Sequence, residues 1–299
     1  MLPNSLTPAL DIFLLDCQAR NLAAETLEFY RERVHHFTRF AGKENIFALH
    51  EVTPTLLRTY FVALQNQGWK SNSVHAAARA LKAFFNFCVY EELLERSPMQ
   101  RIRLPKTDKH IKPAFEMDEV EQLIAAATTQ RDRAIILCLL DTGCRAKEFL
   151  AWNVEDVNAA TGTVQLRHTK NRKARVVYLG VRSRKELLKL YLQQGNEPGT
   201  PVWRNQSNGE RLQYYGLAIT LRKLGRRTGI LPCNPHRFRR THAIASLRNG
   251  MDVYTLAALM GHSDISVLRK YLPIVEADLM RAAGSYGVVD NSLTAARGA

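Results

Sequence analysis

Residues 131–148 read Arg131-Asp-Arg-Ala-Ile-Ile-Leu-Cys-Leu-Leu-Asp-Thr142-Gly143-Cys-Arg145-Ala-Lys-Glu148. The first twelve predict a strongly apolar helix over Arg131–Thr142, with the uninterrupted run Ala134–Leu140 at its centre. Gly143 follows as a C′ cap, since glycine enters the left-handed conformation that ends a helix without steric penalty. Arg145 and Glu148 come directly after this buried helix ends. A structural core element that hands the chain straight to two charged residues makes this half of the molecule the place to look for chemistry.

Upstream, Glu116–Ala127 predicts a helix with acidic residues in its first turn. Downstream, Thr163–Arg167 and Ala174–Leu179 are short, β-branched and alternating, and the basic turn Thr169–Lys173 lies between them: a hairpin. Helices are expected again at Ser183–Gln194, Gln213–Arg227, His236–Asn249, Val253–Leu259 and about Ile265–Tyr271. The first hundred residues read as helix throughout. Leu6–Cys17 and Ala23–Phe40 carry apolar residues at helical spacing, the second with Leu27, Tyr30, Val34 and Phe37 on one stripe. Thr53-Pro54 starts a third helix, a hydroxyl N-cap followed by proline at the first helical position. It stops at Gly68, and Ser71 or Ser73 caps a fourth that runs to about Leu94. The expected fold is mainly α with a small antiparallel β-sheet (α+β).

Between the two regions, Ser97–Pro113 contains Pro98, Pro105 and Pro113 with Arg101, Arg103, Lys106, Lys109 and Lys112. Proline favours extended chain, so a basic linker over 98–113 is expected, either solvated or lying along phosphates. It joins a helical bundle over 1–97 to a second domain over 114–285, and 286–299 reads as a disordered tail. Two domains suit 299 residues at about 150 per domain.

Lys and Arg number 42 against 28 Asp and Glu, a net of +14. Residues 1–110 carry +3 of this and residues 111–299 carry +11. A field of this sign favours polyanions, nucleic acid before an anionic membrane. No apolar run approaches the roughly 20 residues of a membrane span, and no basic amphipathic helix with exposed aromatics argues for membrane binding. Cys17, Cys88, Cys138, Cys144 and Cys233 form no CxxC, and three lie in apolar stretches. They read as core residues in a reducing cytoplasm, not as a zinc site.

Several polar residues interrupt the helical patterns: Arg145 and Glu148, Lys170 on the hairpin turn, and His236 and Arg239 three apart in Pro235-His-Arg-Phe-Arg239. His262 follows Gly261, and Tyr271 stands nine residues beyond it. Singly, each has an ordinary explanation: a solvated cation, a hydrogen-bonded histidine, a half-buried tyrosine. Together they suit a phosphodiester. Guanidiniums pair with phosphate oxygens in forks and stay charged at any working pH, so they can stabilise a pentacovalent transition state. A tyrosine hydroxyl can attack phosphorus if a base or cations help it ionise. A histidine can be that base, and a lysine can protonate the leaving alkoxide. No Asp/Glu cluster suits Mg²⁺ and no GxxxxGK[ST] loop suits ATP, so neither cofactor is expected.

Four ordered segments carry a resemblance. They are Asp141-Thr-Gly-Cys-Arg145-Ala-Lys-Glu148, Thr169-Lys170-Asn-Arg-Lys-Ala-Arg175, Pro235-His236-Arg-Phe-Arg239-Arg-Thr-His-Ala243 and Leu259-Met-Gly-His262-Ser-Asp-Ile-Ser-Val-Leu-Arg-Lys-Tyr271. In order and spacing the chain resembles the tyrosine recombinase (phage integrase) family, in particular its short Xer-like members, over nearly its whole length. The N-terminal bundle is similar to the family's core-binding, SAM-like DNA-binding domain, though its match is weaker.

The resemblance implies roles. Arg145 and Arg239 would grip the scissile phosphate and Lys170 would protonate the 5′-hydroxyl. His236 would accept the proton of Tyr271, the nucleophile of a 3′-phosphotyrosyl bond. His262 would hydrogen-bond the phosphate or position the nucleophile, and Glu148 would support the first arginine. Cys144 reads as packing. Arg240 stands where many relatives carry histidine, outside the catalytic set. The further basic residues expected on DNA are Arg101, Arg103, Lys106, Lys173, Arg175, Arg226, Arg227, Arg237 and Arg240. The implied partner is double-stranded DNA, held by a clamp of the two domains. The implied assembly is a homo-tetramer on two duplexes that starts from monomers in solution. The tail from about Ile274 to Ala282 either packs on its own domain or docks in trans on a neighbour. No arm-site-binding module is expected ahead of the bundle. The implied setting is the cytoplasm of a bacterium, or a phage or mobile element. A type IB topoisomerase uses nearly the same residues for relaxation, and a non-catalytic DNA-binding relative is the third possibility. All six catalytic positions are filled, and short length favours the recombinase.

Overall fold

A computed structural model of the chain describes residues 4–107, 113–167 and 174–261. It divides into two compact units, Met1–His110 and Ile111–Ala299.

The first unit is built on α1 (Leu6–Ala19), α2 (Ala24–Lys43), α3 (Pro54–Asn66) and α4 (Ser71–Tyr90). Thr53 caps α3 as its sequence requires: its hydroxyl accepts from the Leu56 amide at 3.1 Å, with Pro54 at the first helical position. Helix α4 has Lys70 at its N-cap, with Ser71 already inside the helix. Its apolar stripe Leu81, Phe84, Phe85 and Cys88 is buried. Phe13, Phe37, Tyr60, Phe84 and Phe85 form the aromatic centre, with Phe37 edge-on to Tyr60 at 5.2 Å.

The segment read as a linker differs from expectation. Pro98–Arg101 is a short 3-10 helix whose Pro98 and Met99 are buried against α3 and α4. Arg58 donates to the Arg101 carbonyl at 3.2 Å, and His75 Nδ1 donates to the Pro105 carbonyl at 2.8 Å. Proline does extend this chain, but the apolar residues between the prolines give it a face to bury. Arg101, Arg103 and Lys106 remain exposed.

The second unit begins with α5 (Met117–Ala126) and α6 (Gln130–Thr142), the latter capped by Thr129 and ended by Gly143. Then come α7 (Ala146–Leu150), β1 (Val157–Asn158), β2 (Thr163–Leu166) and β3 (Arg175–Tyr178). The sheet is antiparallel in the order β1-β2-β3, with Val164 opposite Val177 and Leu166 opposite Arg175. The hairpin was expected; β1, only two residues long, was not. Helices α8 (Val181–Gln194), α9 (Tyr214–Thr228), α10 (Pro235–Arg248) and α11 (Val253–Met260) complete the described part. Helix α6 is the central post, packed on α8 and α10, while α5 packs on α9 and α11 on α10 and β3. The Phe149 and Trp203 rings stack at 4.5 Å in the core beside Trp152. Among the described residues no helix is long and apolar enough to cross a membrane.

Candidate active site

Helix α6 delivers the chain to the site and Gly143 turns it. Its φ is 53°, and a Cβ there would collide with the His242 ring, so conformation and space both call for glycine. The turn leaves Arg145 as N-cap of α7. Its amide donates to Glu148 Oε2 at 3.0 Å and its Nη1 donates to Glu148 Oε1 at 2.9 Å. One carboxylate therefore caps the helix and holds the guanidinium at once. The Glu148 side chain is 2% exposed. Arg175, the first residue of β3, grips the same carboxylate as a fork: Nη1 to Oε1 at 3.0 Å and Nη2 to Oε2 at 2.8 Å. Burial pushes the Glu148 carboxyl up, but hydrogen bonds from Arg175 and from the Arg145 amide outweigh it and hold the pKa below the ordinary range.

Helix α10 supplies the next cation. Asn234 Oδ1 accepts from the Arg237 amide at 3.0 Å and Pro235 occupies the first turn, which pins where the helix starts. Arg239 then points inward, with its Nη1 donating to the Gly143 carbonyl. His236, one turn earlier, is exposed.

Three guanidiniums meet at the end of α11. Arg175 Nε donates to Leu259 O at 3.0 Å, Arg239 Nη2 to Met260 O at 2.8 Å and Arg145 Nη2 to Gly261 O at 3.2 Å. Terminal helix carbonyls lack partners within the helix and carry the negative end of its dipole, so cations belong there. Gly261, at φ 65°, ends α11 where a Cβ would fall 2.8 Å from Arg175 Nη1. Among the described residues, Arg145 and Arg175 both pair with the Glu148 carboxylate, and Arg239 stands close enough to feel the charges of all three. Burial, then the charge of Arg145, pushes the Arg239 pKa down to about 10, which leaves it ionised at neutral pH. A preorganised cluster of guanidiniums can bind a phosphodiester and stabilise the extra charge of its transition state.

Residues 114–276 match the phage integrase family, and residues 10–95 match the N-terminal SAM-like domain of phage integrases. The chain belongs to the phage integrase family. It is an enzyme of the tyrosine recombinase class, which breaks and rejoins DNA. Among relatives of this integrase, tyrosine recombinase XerC of Bacillus licheniformis is 30% identical over 88% of the chain and 90% of that protein. Tyrosine recombinase XerD of Listeria monocytogenes is 28% identical over 87% of the chain and 91% of that protein. The fold is shared with a lambda integrase dimer bound to a COC′ core site, at a TM-score of 0.76 and 16% identity over 89% of this chain and 77% of that one. It is also shared with the XerA recombinase, at a TM-score of 0.53 and 24% identity over 93% and 97%.

Of the residues singled out in the sequence of this integrase, Arg145, Glu148 and Arg239 stand together in the cluster, and His236 is exposed on the first turn of α10. Lys170, Lys173, His262 and Tyr271 lie outside the described residues. Cys144 is buried, its thiol pushed up to about 12 by desolvation, as a packing role requires.

Three residues expected on DNA are placed elsewhere. Arg237 is buried over the Phe115 ring, 3.9 Å from its centroid, and pairs with Glu119 at 2.7 Å. Arg240 is buried too and donates to the Pro113 carbonyl at 3.1 Å. Both tie α10 to the strand of chain entering α5. Arg175 is the third, its fork spent on Glu148. Its position was legible: Arg175, Val177 and Leu179 alternate onto one face of the strand, and Val177 and Leu179 are buried. Arg226 and Arg227, in the last turn of α9, are exposed.

Two further residues shape the site, and although both lie within the quoted segments neither was given a role in the sequence. His242 packs against Gly143 and donates Nδ1 to the Leu140 carbonyl at 2.8 Å, and burial lowers its pKa. Asp141 accepts from the Gly180 amide at 2.7 Å and from the Ser183 hydroxyl, joining the end of α6 to the start of α8.

Proposed function

We propose that this integrase is a site-specific DNA recombinase that cleaves and rejoins strands through a 3′-phosphotyrosyl bond on Tyr271, with neither metal nor ATP. The observation that carries this reading is the convergence of Arg145, Arg175 and Arg239 on Leu259–Gly261, the residues immediately before His262. Arg145 and Arg239 hold the non-bridging oxygens of the scissile phosphate. The Tyr271 oxygen attacks phosphorus and its proton passes to His236. The bond from phosphorus to the 5′-oxygen breaks as Lys170 protonates that oxygen, and His262 hydrogen-bonds the phosphate or orients the tyrosine. One ester replaces another, so the energy of the broken bond is kept, and a 5′-hydroxyl from a second strand reverses the step.

Residues 114–285 form the catalytic domain and residues 1–97 the core-binding domain. Arg101, Arg103, Lys106, Lys173, Arg226 and Arg227 contact DNA. The family fold, shared with a lambda integrase tetramer bound to a Holliday junction, supports a tetramer on two duplexes. Residues 274–282 dock in trans on a neighbouring protomer, and the enzyme works in the cytoplasm. The test is a denaturation-resistant adduct on nicked duplexes tiling the DNA on both sides of its own gene. The unmodified protein yields the adduct with or without EDTA, and Tyr271→Phe binds DNA and yields none. An adduct on Tyr271→Phe overturns the assignment of the nucleophile.

A further inference from the structure

We propose that Arg175 is a positioning residue that locks three catalytic segments of the enzyme to one another, an inference that rests on the recombinase reading above. Its fork fixes the carboxylate of Glu148, and Glu148 in turn fixes both the backbone and the guanidinium of Arg145. Its third nitrogen, Nε, fixes the Leu259 carbonyl at the end of α11, three residues before His262. Its own backbone opens β3, five residues after Lys170, in register with Leu166 on β2. A single planar group thus sets the distance between the first arginine of the site, the base of the hairpin that carries the lysine, and the helix end that leads to His262 and Tyr271.

Lysine cannot do this. An ammonium has no fixed fork and cannot hold two carboxylate oxygens and a carbonyl in one plane. Gly261 shows how closely the guanidinium is fitted, since a Cβ there would meet it at 2.8 Å. The side chain is 12% exposed, and its three nitrogens all have protein partners. Arg175 therefore acts through Glu148 and α11 and not by touching phosphate.

The experiment compares the unmodified protein with Arg175→Lys and Arg175→Gln on the nicked duplex from the tiled pool that gives the adduct. Single-turnover formation of the adduct is measured on the bound fraction, below the melting temperature of each variant, so that loss of folded protein does not enter the rate. Expected for Arg175→Lys is a fall of about 100-fold in that rate, the size of effect that a misplacement near 1 Å produces. DNA affinity and its salt dependence stay unchanged. Glu148 faces Arg145 and Arg175, with Cys144 and Arg239 close by. Arg175→Gln removes one of the two cations that keep Glu148 ionised. The acid limb of the rate profile therefore moves to higher pH in that variant, and moves less in Arg175→Lys. A rate equal to that of the unmodified protein overturns the inference. So does a loss of affinity with a salt slope about 1 smaller, which would make Arg175 a phosphate contact. An unmodified protein that forms no adduct on any duplex overturns the recombinase reading, and this inference with it.

Discussion

The two units of this integrase-family enzyme are held together in different ways. Among the described residues the N-terminal unit buries no charged side chain, and its core is aliphatic and aromatic. The C-terminal unit buries Arg131, Glu148, Asp156, Arg237, Arg239 and Arg240. Burying a charge is unfavourable unless it is paired and hydrogen-bonded. A bundle whose proposed task is only to present a surface to DNA has no reason to accept that penalty. On the proposed function the other unit must hold cations in place before a phosphate arrives, and it does have a reason, because cations already dehydrated and oriented need no reorganisation at the moment of reaction. The contrast places rigidity by apolar packing in one unit and preorganised charge in the other.

The largest expected effect comes from breaking the charge cluster at Glu148, the carboxylate that Arg145 and Arg175 share. Glu148→Ala leaves Arg145 and Arg175 without their shared partner, and removing one member of a buried pair costs about 3–5 kcal/mol. Denaturant melts of the C-terminal unit should show that loss, with the N-terminal unit unchanged. If melting were unaffected, Glu148 would not be the keystone of the cluster.

A change of pH sharpens the same contrast. The Glu148 carboxyl is held below its ordinary value of 4.5 in the folded protein. Its contribution to stability is therefore complete above pH 4.5 and fades as pH falls through the lowered value. Melting temperatures of the unmodified protein and Glu148→Gln should differ at neutral pH and draw together in acid. A gap that persisted at the lowest pH would mean that shape, and not charge, holds the site.

The smallest effect separates two pairs of arginines that look alike in sequence. Arg226→Ala should lower the slope of DNA affinity against salt by about 1, the mark of the exposed phosphate contact proposed for it. Arg237→Ala should leave that slope alone and instead lower stability, because Glu119 and the Phe115 ring lose their cation. Equal slopes for the two variants would remove the distinction drawn from burial.

Much of the fold was legible because local rules and the tertiary structure agree. The Thr53-Pro54 start of α3, the Gly143 stop of α6 and the alternation of β2 and β3 each follow from short-range stereochemistry. The 3-10 helix at Pro98–Arg101 was not legible, since proline forbids a long helix but says nothing about which surface Met99 will find. Strand β1 was too short to show a period. Arg145, Glu148 and Arg239, singled out in the sequence by type and spacing, are brought together by the fold. Three of the arginines expected on DNA, Arg175, Arg237 and Arg240, instead turn inward onto Glu148, Glu119 and the Pro113 carbonyl.

What the sequence determined by itself is where helices begin and end, which residues are chemically fit to handle a phosphodiester, and the family to which they belong. These are properties of neighbours along the chain and of side-chain type. Only the tertiary structure decided which arginines are spent on carboxylates, carbonyls and rings, and which keep charge for a ligand. Pairing joins residues far apart in sequence, as when Glu148 meets Arg175 and α11 ends against three guanidiniums from three other elements. Charge is a property of a residue, whereas its availability is a property of the packing around it.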